Sequence, residues 1–60
     1  MYNVGDYVQI VNHAEPECNN QFGTIEAVQI GYDGHTRFYT VIIDDTLSVC
    51  TCIDDELMEG

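Results

Sequence analysis

The chain has 60 residues, room for one domain over 1–60 and no second core. Eleven Asp and Glu stand against a single basic residue, Arg37, for a formal charge of -10. That balance argues against direct nucleic-acid binding, which needs cations to neutralise phosphates, and the regular spacing of Val, Ile and Tyr argues against a disordered acidic tail.

In chain order the pattern is one of short strands with turn residues between them. Gly5-Asp6 is a turn pair, and "YVQIV" (residues 7–11) is a β-branched strand. "NHAEPECNNQ" (residues 12–21) contains the only proline and three asparagines, and it reads as a long surface loop. "GTIEAVQI" (residues 23–30) is a second strand whose leading glycine signals a bulge or a close backbone approach. "GYDGH" (residues 31–35) is a hairpin connection, with Asp33-Gly34 suited to positive φ. "TRFYTVII" (residues 36–43) is the strongest strand, and Asp44-Asp45 ends it. "LSVCTCI" (residues 47–53) returns as a fourth strand. "DDELMEG" is too short for an independent helix, and it predicts one tight turn that pins Leu57 on the core, with a short closing strand. Alternation places Val4, Val8, Ile10, Ile25, Val28, Tyr39, Val41, Ile43, Val49 and Leu57 inside. Closing the sheet on itself would remove its edges, so a five-stranded, strongly bent barrel is the expected architecture.

Val4-Gly5-Asp6-x-Val8, the polar loop, Gly23-Thr24-Ile25-x-x-Val28, Tyr39-x-Val41-x-Ile43-Asp44 and the terminal Asp55-Glu56-Leu57 together resemble the SH3-like small barrels. Within that group the pattern is most similar to the peripheral E subunit of photosystem I, over about residues 4 to 57. The resemblance implies an all-β, five-stranded SH3-like barrel with a short C-terminal turn, acting as a docking module. That family presents basic residues to acidic partners, and the related ribosomal and transcription-factor barrels carry Lys/Arg-rich loops. With Arg37 alone, this chain shares the scaffold without that charge.

The expected role is therefore a small acidic module that docks on a basic surface of a partner protein. The alternative is a nucleic-acid mimic whose carboxylates line up in one track and fill the groove of an enzyme. The candidate partner-binding residues are Asp54, Asp55, Glu56 and Glu59 with Asp44 and Asp45, and Glu15 and Glu17 in the long loop. Tyr7, Tyr32 and Phe38 are candidate exposed aromatics, since alternation turns Tyr39 inward and Phe38 outward. His13, Cys18, Cys50 and Cys52 equal in number a tetrahedral zinc set, but no C-x-x-C pair is present, so no metal and no cofactor are expected. An odd cysteine count, and a Cys50-x-Cys52 spacing of about 6.6 Å along a strand, predict free thiols in a reducing cytoplasm. No apolar run approaches the ~18 residues of a membrane helix, and "MYNVGDYV" lacks the basic and apolar parts of a leader. No nucleophile-base constellation or phosphate loop is evident, so the chain is not expected to be an enzyme, and a monomer is favoured.

Overall fold

A computed structural model describes residues 2–60. It is all-β: one five-stranded antiparallel sheet with strands β1 (Tyr7–Ile10), β2 (Phe22–Ile30), β3 (Arg37–Ile43), β4 (Val49–Cys52) and β5 (Leu57–Glu59), in the order β4-β3-β2-β1-β5. A single 3-10 turn, Asp54–Glu56, joins β4 to β5. No helix among the described residues is long and apolar enough to cross a membrane.

The inward rows follow the alternation expected of half-buried strands: Val8 and Ile10 on β1, Tyr39, Val41 and Ile43 on β3, and Leu57 on β5. On β2 the period breaks. The β2–β3 register runs Ile25↔Val41 and then Ala27↔Thr40, so Glu26 is an extra residue. This bulge lets Ile25 be buried and Val28, three residues on, still pack against the core. The bulge therefore lies at Glu26 and not at Gly23. Gly23 makes the close approach instead, because a Cβ there would overlap the Ile42 carbonyl oxygen.

Several expectations need correction. Val4 is 62% exposed, because it sits with Gly5 (φ +94°) at the centre of the turn closed by Asp6 N–H to the Asn3 carbonyl and never joins β1. Val49 is 59% exposed, and Cys50 and Cys52 take the inward positions. Val49 pairs with Ile42, whose side chain leaves the core because Val41 and Ile43 enter it. The fourth strand starts at Val49, not Leu47. Leu47 lies in the left-handed region (φ +58°) and donates its N–H to the Ile43 carbonyl, closing the turn after β3. Finally, two of the thiols are not free: Cys18 and Cys50 form a disulfide, with Cα atoms 6.2 Å apart and a sequence separation of 32. The odd cysteine is Cys52, which is buried.

The expected barrel closure is not found, since among the described residues β4 and β5 do not pair. Their outer edges are occupied in other ways. His13 Nε2–H donates to the Thr51 carbonyl on β4 at 3.0 Å. On β5 the Tyr2 hydroxyl donates to the Leu57 carbonyl at 3.2 Å, and the Leu57 N–H goes to the Asp54 carbonyl. Loop and terminal groups thus blunt the edges that strand pairing would otherwise close.

Candidate functional site

The strongest constellation of polar groups is internal. Tyr39 is fully buried, yet its oxygen accepts from Arg37 Nε–H (3.0 Å) and the Tyr2 N–H (3.3 Å) and donates to Asp54 Oδ1 (2.7 Å). Arg37 also donates from Nη2 to the Tyr2 carbonyl, with its guanidinium carbon 5.7 Å from the Tyr39 ring centre. The only Lys or Arg side chain of the sequence is therefore engaged inside its own fold. A buried hydroxyl left without partners costs about 1–3 kcal/mol, so this network is structural in the first instance. Asp54 belongs to it as well as to the acidic cluster.

The acids are spread over the connections of the sheet. Glu15 and Glu17 lie in the β1–β2 loop, Asp33 in the β2–β3 hairpin, Asp44 and Asp45 after β3, Asp54, Asp55 and Glu56 in the 3-10 turn, and Glu59 on β5. Three of the candidate acids bond within the fold. Asp44 Oδ2 accepts from the Tyr7 hydroxyl at 2.7 Å, Asp54 holds Tyr39, and Glu56 Oε1 accepts the Ile53 N–H at 3.0 Å. The bond to Asp44 is the main reason the Tyr7 hydroxyl titrates above its ordinary value, with the charges of Asp44 and Asp45 adding to it.

Two apolar surfaces are exposed. The first is the outer face of the sheet. Met58, Gln9 and Phe22 form one cross-strand row, and Tyr7, Thr24, Ile42 and Val49 form the next. Tyr7, Phe22, Val49 and Met58 are all exposed there, and the Tyr7 and Phe22 rings stack at 6.1 Å with 17° between their planes. Phe22 and Met58 went unnoticed in the sequence. Parity would have found Phe22, since an inward Ile25 turns Phe22 and Thr24 outward. The second surface is the β2–β3 hairpin, where Ile30, Tyr32 and Phe38 line an open cleft of about 790 Å³ beside Asp33. Tyr32 is fully exposed, and Phe38 faces outward as alternation required. Set against protein-family models, curated proteins and solved structures, the chain matches none of them.

A third cluster bears on metal binding. His13, Cys52 and Glu56 bring ligand atoms within 4.8 Å of one another. Both ring nitrogens of His13 already have backbone partners, Nε2–H giving to Thr51 and Nδ1 accepting the Glu15 N–H at 3.0 Å. Glu56 Oε1 is held by Ile53, and burial, with the Glu56 charge adding, pushes the Cys52 thiol up to about 11. A cation would have to displace those bonds and remove a reluctant proton. The four-ligand set considered from sequence is not available, because Cys18 and Cys50 are spent on each other.

Proposed function

We propose that the chain is a small acidic protein-interaction module that docks on a basic surface of a partner protein. The observation that supports this reading best is the outer sheet face. Four large apolar side chains stand exposed over neighbouring strands, with Asp44 bonded to one of them. Isolated exposed apolar residues need no cause, whereas a contiguous patch beside charge is typical of interaction surfaces. In this reading the stacked Tyr7–Phe22 pair supplies most of the binding energy. The carboxylates speed encounter with a cationic partner and reject acidic ones. No catalytic step is part of it. The mimic alternative calls for carboxylates in one track, and their distribution over separate connections is the reason for ranking it second. The free-thiol ground for a cytoplasmic location is withdrawn by the Cys18–Cys50 bond, since such bonds persist chiefly in oxidising compartments.

The test is capture of partners from a native lysate on immobilised wild-type protein and on Phe22→Ser, each at low and at moderate salt. The reading expects a basic protein that salt releases and that Phe22→Ser fails to retain. Equal recovery on both proteins would remove the outer face from the interface. Release by added duplex DNA, of an enzyme that acts on DNA, would favour mimicry instead.

A further inference from the structure

The β2–β3 hairpin carries a second recognition feature at the opposite end of β3 from Asp44. Its cleft has two aromatic residues, Tyr32 and Phe38, an aliphatic wall at Ile30, and one carboxylate, Asp33. Gly31 lets the Phe38 ring and the Asp33 carboxylate approach its backbone closely: a Cβ built there would lie 3.0 Å from Phe38 Cε2 and 3.4 Å from Asp33 Oδ1. The carboxylate is fixed in place. Asp33 Oδ1 accepts the His35 and Thr36 N–H groups, both at 2.8 Å, and Oδ2 accepts the Thr36 hydroxyl at 2.6 Å. These donors keep the group charged, so the cleft presents a permanent negative charge beside two π-systems. Arg37, the only Lys or Arg of the chain and the neighbour of Phe38 in sequence, does not compete for it, because it gives its guanidinium to Tyr39 and Tyr2.

Aromatic rings beside an anion, with an aliphatic wall, are complementary to a cation on a hydrocarbon stem. We infer that the hairpin cleft receives a cationic side chain, arginine before lysine, from a basic segment of the partner protein. The flat guanidinium lies against the Tyr32 and Phe38 rings, its stem runs along Ile30, and Asp33 supplies the charge opposite. The net charge of -10 favours that ligand class over any anion. This inference rests on the docking reading above and adds the place and the chemistry of one contact.

The experiment is an amide NMR titration of the intact, oxidised protein with a hepta-arginine peptide at low salt, about 50 mM, repeated with a hepta-glutamine peptide. Tyr32→Ala and Gly31→Ala are the variants. Tyr32 is fully exposed and absent from the core, so its loss leaves the fold intact, and Gly31→Ala crowds the Phe38 ring and the Asp33 carboxylate without removing a side chain. The expected result is arginine-specific shifts at Gly31, Asp33 and Phe38, with binding about two- to tenfold weaker in each variant. Arginine peptide binding at Asp44–Asp45 or Asp54–Glu56, unaltered by either variant, would overturn the cleft while sparing the docking reading. Equal binding of the glutamine peptide at the cleft would overturn its cation selectivity. No binding of the arginine peptide anywhere would defeat both.

Discussion

The two connections that flank β2 are built on opposite plans. The eleven-residue segment before it, residues 11–21, is polar, contains the proline, and has the sequence marks of a long surface loop. It is fastened to the sheet at several points: the Cys18–Cys50 bond, His13 to Thr51, Asn20 N–H to the Ile10 carbonyl and Ile10 N–H to the Gln21 carbonyl. Cys18 is part of the core cluster. The six-residue connection after β2 is held mainly by itself, through the Gly31–Thr36 pairing and the Asp33 carboxylate, with Gly34 at φ +76°. It leaves Tyr32 with no packing at all. Length and polarity therefore misjudge which connection is free to meet a partner. The long one works as a lid on a core that 60 residues can barely close, and the short one is the better-presented surface.

If the lid is structural, opening it should have the largest effect on stability. Removing the bridge with Cys18→Ala and Cys50→Ala should cost about 3–4 kcal/mol for a loop of this length, read from urea unfolding. A loss below about 1 kcal/mol would mean that the loop contributes little to closing the core. His13→Ala comes next, at about 1 kcal/mol, since it uncaps the β4 edge and frees the Glu15 N–H. The two should not add. Once the bridge is gone the loop no longer presents His13 to Thr51, so His13→Ala should then cost close to nothing, and full additivity would show two independent fastenings. Raising salt from low to moderate concentration should stabilise the protein by a smaller margin, because it screens the repulsion of a chain at -10. A thermal melt that is flat or falls over that range would contradict the crowded-acid picture.

β1 and β3 were legible because each has a β-branched or aromatic inward row, and the β3 row Tyr39, Val41, Ile43 leaves one phase only. The hairpin was legible from Asp33-Gly34, whose roles, side-chain acceptor and positive φ, are local. What was not legible depends on pairing across the sheet. Val49 looks like a better core residue than Cys50, and β4 has only four residues in which to show a phase. The register to β3 decides, and it sets Cys50 opposite Val41. Cysteine is among the most buried residue types, so reading Cys50 and Cys52 as the inward row was open from sequence and would have directed attention to Cys18. The bulge was also implied, since Ile25 and Val28 are three apart and cannot both face inward on a regular strand. The exposed face was missed for a different reason: an apolar residue beside a strand start reads as core until its parity is counted, as Phe22 shows.

The smallest effect is the most local, and it isolates the hairpin. The Thr36 hydroxyl first, and then the Thr36 and His35 N–H groups, lower the Asp33 carboxyl to about 2, against about 3.9 in an unfolded chain. A depressed carboxylate adds stability that is fully present above the unfolded value and is lost as pH falls through the folded one. The turn should therefore hold from neutral pH down to about 4 and loosen between 4 and 2. The amide shifts of His35 and Thr36, followed by NMR, should titrate with a midpoint near 2. Asp33→Ala should abolish that titration and speed hydrogen exchange at those two amides while leaving the amide of Tyr39 protected, because the core does not depend on this turn. A wild-type midpoint near 4 would mean that the carboxylate is not held in solution, and a cleft wall that moves freely would lose the preorganisation on which its choice of a cation depends.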